Sequence, residues 1–127
     1  MRFGLSPVQS QPRFDAMRRQ ATLAKELGFD ALWAHEHHSQ GMMYPSPLMA
    51  LAAMAPVTRR IALGTNMLLL PLYSALRVAE DAAMVDLLSG SRLNLGVSAG
   101  YSAADLNAFG VPQNERGLRM REGLRTS

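Results

Sequence analysis

Residues 59–70 read RRIALGTNMLLL: two arginines, then ten residues among which only Thr65 and Asn66 are polar. The apolar run is too short to cross a membrane as a helix. It also lacks the strict alternation of a strand with one wet face. A nearly continuous apolar run suits a strand buried on both faces, as in a parallel sheet.

The flanking segments supply the crossovers such a sheet needs. Upstream, PLMALAAMAPV (47–57) reads as an apolar helix, with Pro47 in its first turn and Pro56 ending it. FDALWA (29–34) reads as a strand. Residues 14–28 carry Phe14, Met17, Ala21, Ala24 and Leu27 at helical spacing, with Gly28 as the stop. RFGLS (2–6) is a short first strand, and residues 7–12 form a loop with two prolines. Downstream, residues 74–90 read as a helix with Ser74 as N-cap, Leu76, Ala79, Ala83 and Leu87 on one face, and Gly90 closing it. RLNLGVSAG (92–100) is a fourth buried strand. A short helical segment over 103–109, a turn at GVP (110–112) and an arginine-rich helical stretch complete the chain.

The order is βαβαβαβα, which means a parallel α/β fold within one domain spanning residues 1–127. It suits an open doubly wound sheet, or about half of a TIM (β/α)₈ barrel, whose full length is typically about 250 residues. GLSPVQSQP after the first strand is neither a P-loop nor a G-x-G-x-x-G turn, which weighs against a dinucleotide fold.

Composition narrows the function classes. With 48% hydrophobic and 18% charged residues the chain is globular in type. The net charge of +3 includes an arginine cluster at residues 116, 119, 121 and 125, diluted by Glu115 and Glu122 and without interleaved aromatics. That pattern is a solvated helix face and not a nucleic-acid site. The absence of cysteine excludes disulfides and thiolate chemistry, and leaves the cytoplasm as the default compartment. No signal-peptide pattern opens the sequence, and no run is long enough to span a membrane.

In parallel α/β folds, function collects at the C-terminal ends of strands. Four such places follow: residues 6–9, 35–38, 65–70 and 98–105. The second holds all three histidines, His35, His37 and His38, around Glu36. By strand alternation His35 and His37 point one way, Glu36 and His38 the other. A His-x-His pair is compatible with a metal site, but a catalytic metal needs about three protein ligands, and only Asp105 is a candidate third. Acid/base work by an imidazole and a purely structural role are the other readings. The polar pair Thr65–Asn66 inside a buried strand is either a bulge bonded to backbone or an amide that meets a ligand. The small residues of GVSAGYSAAD (96–105) permit either tight packing or close approach of a planar ligand.

Four segments together resemble the bacterial luciferase-like family of flavin-dependent monooxygenases: KELGFDALWAHEHH (25–38), IALGTNMLLLP (61–71), AEDAAMVDLLSGSRLNLGVSAGYSAADLNAFGV (79–111) and ERGLRMREGL (115–124). The resemblance implies a (β/α)₈ barrel, of which this chain matches the N-terminal third to half. It implies reduced FMN as cofactor, oxygen and a small organic substrate, with no metal. A flavin reductase would serve as partner, and family members commonly form dimers through helices of this half. His37 matches the family's catalytic acid/base histidine. Glu36 matches an acidic residue close to the flavin ring, and His38 orients its neighbours, while His35 lies outside the motif. Asn66 and Met67 fall where the family often has a non-proline cis peptide under the ring. Ser98 stands where bacterial luciferase has a flavin-facing cysteine, and Ala99 where it has an arginine. Tyr101 and Asp105 belong to the following substrate or loop region, with Asp105 matching an acidic residue that orders the loop. The family also includes deazaflavin-dependent oxidoreductases, the alternative cofactor class, but the Glu-His-His form looks more like the FMN branch. A non-enzymatic reading remains: a truncated half-barrel acting as an association module, its unpaired strand edges favouring self-association.

Overall fold

In the computed structural model, which describes residues 1–7, 13–38 and 44–126, four parallel strands lie in sequential order, β1-β2-β3-β4. They are β1 Gly4–Leu5, β2 Ala31–Ala34, β3 Ala62–Leu69 and β4 Leu93–Ser98. The crossover helices are α1 Phe14–Glu26, α2 Pro47–Met54 and α3 Ala75–Ser89, and β4 is followed by α4 Ala103–Ala108 and α5 Arg116–Thr126. The expected βα alternation is therefore present. Residues 8–12 of the expected loop, and residues 39–43, lie outside the described residues.

The punctuation read from the sequence operates. Pro47 occupies the first turn of α2, and a 3₁₀ turn at Ala55–Val57 ends it around Pro56. Gly90 caps α3 in the left-handed region, φ 70°. Ser74 stands at the N-cap of α3, but its side chain makes no capping hydrogen bond. The first strand is shorter than residues 2–6. Its continuation consists of Phe3 alone, tied to Asp30 by two 2.7 Å bonds, one from each backbone N–H.

Three burial expectations need correction. On α1, Met17, Ala21 and Ala24 are buried, but Phe14 and Leu27 at the helix ends are exposed. On α3, the buried stripe is Val78, Ala82, Val85 and Ser89, while Leu76 and Leu87 are 61% and 74% exposed. This helix is apolar around most of its circumference, so spacing alone did not select the packed face. The fourth strand is not buried: among the described residues it pairs with β3 alone, and Asn94 and Leu95 are exposed.

The core lies between the sheet and its helices. Leu32, Leu63 and Leu68 of the strands meet Leu51 and Met54 of α2, with Val78 and Val85 of α3 packed against them. Burying each such side chain contributes roughly 1.5–3 kcal/mol. At the N-terminal end of β4, the Arg92 guanidinium donates to the carbonyls of Ala55, Thr58 and Ile61 and to the Thr58 hydroxyl at 2.8–3.1 Å. It thereby anchors the end of α2 to the sheet, opposite the end where the histidines gather. No helix among the described residues is long and apolar enough to cross a membrane.

β3 is buried at Leu63, Gly64, Thr65, Leu68 and Leu69, as its apolar run implies, but opens at Asn66 and Met67. Its register with β4 shifts between Thr65 and Leu68, and the Asn66–Met67 peptide bond is cis. The Thr65 hydroxyl bridges the shift, donating to the Gly96 carbonyl at 2.7 Å and accepting from the Gly96 N–H at 2.9 Å. The bulge reading of this polar pair holds for Thr65. Asn66, by contrast, is exposed.

Candidate active site

Two buried carboxylates organise the histidines. Asp105, in the first turn of α4, is 1% exposed. Ser102 caps that helix by accepting from the Asp105 N–H at 3.2 Å, which fixes where the carboxylate starts. Its Oδ2 lies 3.2 Å from Nδ1 of His37, and its Oδ1 accepts from the His38 N–H at 3.3 Å. A carboxylate only accepts, so His37 carries its proton on Nδ1 when neutral, and Nε2 is left with a lone pair. The His37 side chain is about one-fifth exposed, and its ring meets the exposed Tyr101 edge-on with centroids 6.1 Å apart.

Glu36 is the second carboxylate, 2% exposed. Its Oε2 accepts from the Leu69 N–H at 2.7 Å, and its Oε1 from His38 Nε2 at 2.6 Å and from the Tyr73 hydroxyl. Burial, then the hydrogen bond to Glu36 and its charge, push the Tyr73 phenol above its usual range, so it remains a donor. The His38 ring also packs edge-on against Phe109, with centroids 4.5 Å apart. The loops after β2, β3 and β4 are thus joined through two side chains.

His35 is held separately, its Nε2 2.6 Å from the Ser6 hydroxyl. Burial first, and the neighbouring His37 second, lower its pKa from 6.5. No three His, Asp or Glu among the described residues form a group able to hold a metal ion.

Low side chains shape the sheet beside this cluster. A Cβ on Gly4 or Gly64 would fall 2.3 or 2.2 Å from the Trp33 indole, so that ring lies across β1 and β3. A Cβ on Gly96 would fall 2.4 Å from the Thr65 carbonyl oxygen and 3.2 Å from Met67 Sδ. Ser98 Oγ accepts from the Gly100 N–H at 3.0 Å in the turn before Tyr101, with Ala99 between them half-buried.

The structure therefore brings together Glu36, His37, His38, Tyr101 and Asp105; Asn66 and Met67 lie within β3 at its register shift, Ser98 ends β4, and Ala99 follows it. Sequence reasoning missed Tyr73, Phe109 and the Ser6–His35 pair. Tyr73 follows the 3₁₀ turn Leu70–Leu72 after the third strand, three residues beyond the stretch singled out there. Ser6 lay in a stretch that was singled out, but nothing local tied it to His35.

A parallel sheet with titratable side chains gathered at its C-terminal ends has the layout of the parallel α/β folds, whose sites lie at the strand ends. More narrowly, residues 1–126 match the luciferase-like monooxygenase family, and the chain belongs to it. It is 35% identical over 123 residues to 4-hydroxyprotoasukamycin monooxygenase of Streptomyces nodosus subsp. asukaensis, covering 94% of this chain and 33% of that protein. It is 30% identical over 133 residues to the oxygenase component of the flavin-dependent trigonelline monooxygenase of Acinetobacter baylyi, covering 96% and 37%. The crystal structure of monooxygenase RslO1 from Streptomyces bottropensis superimposes with a TM-score of 0.92 at 31% identity, over 98% of this chain and 41% of that one. The chain spans about a third of the length of these curated relatives. Its four βα units are laid out as in the TIM-barrel monooxygenases.

Proposed function

We propose that the chain is the N-terminal, histidine-bearing part of a flavin-dependent monooxygenase barrel acting on a small organic substrate. The observation that carries the reading is the His37–Asp105 pair. It leaves His37 Nε2 as a proton acceptor at the strand ends, beside Tyr101. General acid/base catalysis needs such a positioned imidazole.

The residues present fit the ring system of FMN. Exposed Asn66 supplies an amide for a polar ring edge, Met67 a polarizable thioether, and the small side chains of Ser98 and Ala99 leave room for close approach at the end of β4. Reduced FMN, when bound, supplies the electrons that activate oxygen. His37 takes or gives a proton at Nε2, Asp105 holds that ring, and His38 braces the loop against Glu36 and Phe109. The relative from Acinetobacter baylyi is named as an oxygenase component, which supports a separate flavin reductase as partner here. The reading also makes the chain a homodimer through α2 and α3. Met49, Met84 and Leu88 are exposed around a cavity of about 330 Å³ between those helices. A contiguous apolar surface of this kind is what an interface between copies requires.

Titration with oxidised FMN tests the proposal. Trp33 is the sole tryptophan, so binding quenches the whole indole emission and shifts the flavin absorbance. Saturation is expected below about 100 μM, within the usual range of enzyme KM values. If nothing changes at that concentration, or only the deazaflavin coenzyme produces the change, the FMN reading fails.

A further inference from the structure

The carboxylate of Glu36 is taken out of water almost completely, yet its nearest cationic candidate is an imidazole two residues away. A buried carboxylate is tolerable only where donors meet it. Two of the donors come from the end of β3 and the turn after it: the Leu69 N–H and the Tyr73 hydroxyl. The Leu69 amide is fixed by the strand and offers one direction. Tyr73 approaches Oε1, the same oxygen that receives His38 Nε2, and so sets the rotation of the carboxylate about its own axis.

We propose that Tyr73 is a positioning residue of the site: its hydroxyl orients Glu36, Glu36 orients His38, and the His38 backbone and ring carry that constraint to the loop holding His37. The inference rests on the flavin reading for its catalytic meaning, but not for its geometry. The connection is continuous. His38 N–H and His37 Nδ1 share the Asp105 carboxylate, and His38 Nε2 shares Glu36 Oε1 with Tyr73. The tyrosine ring lines both the α2–α3 cavity and a second cavity of about 320 Å³ beside α5. Tyr73→Phe removes only the hydroxyl and keeps the ring that lines these cavities.

The test compares Tyr73→Phe with Ser74→Ala, a neighbour in the same turn that makes no bond to Glu36, by NMR of the 127-residue chain. In Tyr73→Phe the Leu69 amide and the His38 ring nitrogens shift, and exchange of the Leu69 amide with solvent accelerates by about tenfold, the signature of a locally loosened bond. In Ser74→Ala these signals stay at their native positions. If Tyr73→Phe does not fold, the native chain still decides. A Tyr73 hydroxyl proton bonded to a buried carboxylate gives a distinct, slowly exchanging resonance, and a rapidly exchanging one overturns the proposal. Leu69 and His38 signals unmoved in a folded Tyr73→Phe variant overturn it equally. Adding oxidised FMN separates the two claims: failure of FMN to perturb either chain removes the flavin reading, and the Leu69 and His38 shifts still judge Tyr73.

Discussion

Asp105 Oδ2 and His37 Nδ1 lie 3.2 Å apart although 68 residues separate them in the chain. The contact joins the end of β2 to the helix after β4. It decides which imidazole nitrogen is available at the site, because an acceptor-only partner holds the proton on Nδ1.

Replacing Asp105 by Asn reverses that choice. The amide can present its NH₂ group to Nδ1 and so place the imidazole proton on Nε2, removing the base. In the flavin-loaded enzyme kcat is expected to fall by about 100-fold or more, the scale of general base catalysis, with flavin affinity little changed. Steady-state kinetics and FMN titration of the variant check it together. An unaltered kcat would remove Asp105 from the mechanism.

Thr65 closes the register shift between β3 and β4 with one hydroxyl. Thr65→Val keeps the shape and deletes both bonds to Gly96, leaving its N–H and carbonyl without that partner. A loss of about 2 kcal/mol in unfolding free energy follows, in the range for orphaned buried polar groups. Urea denaturation measures it, and a loss below about 0.5 kcal/mol, ordinary for a surface change, would mean the hydroxyl does not bridge the shift.

His35 contributes a pH dependence of known sign. Its folded pKa is lowered from 6.5, by burial and then by His37, so the unfolded chain takes up this proton first. Stability from this residue is complete above 6.5 and is lost as pH falls from there toward the folded value. Thermal melts of the native chain and of His35→Gln between pH 5 and 7.5 (about the range where imidazole titrates) should converge at the upper end, with the native chain losing more on acidification. Parallel curves would show that His35 titrates as it does unfolded.

Met84, 53% exposed on α3 beside the α2–α3 cavity, reports on association. Met84→Glu places a charge on the face assigned to the second copy. Sedimentation velocity should show a dimer for the native chain and a monomer for the variant. A native monomer, or a variant dimer, would put the interface elsewhere.

Much of this was legible in the sequence because strand order and strand ends are local. The apolar run at 61–70 gave the buried centre of the sheet, Pro47, Pro56 and Gly90 gave helix limits, and the strand-end rule picked out His35–Glu36–His37–His38 and Asp105 without any knowledge of their contacts. What failed depended on neighbours. Leu76 and Leu87 sit at sound helical spacing, yet an all-round apolar helix offers several such stripes, and only α2 and the sheet select Val78 and Val85. β4 reads as a buried strand, but exposure depends on what lies across it. Tyr73 and Ser6 were missed because their partners, Glu36 and His35, are 37 and 29 residues away, and no periodicity records a bond of that span.

The central claim is that Asp105 readies His37 Nε2 beside a flavin. Heteronuclear NMR of the His37 ring nitrogens, with and without oxidised FMN, tests it most directly. The account predicts a neutral imidazole protonated at Nδ1, with the Nε2 resonance moving as FMN is added. An imidazole protonated at Nε2, or a ring whose signals ignore FMN, would contradict it.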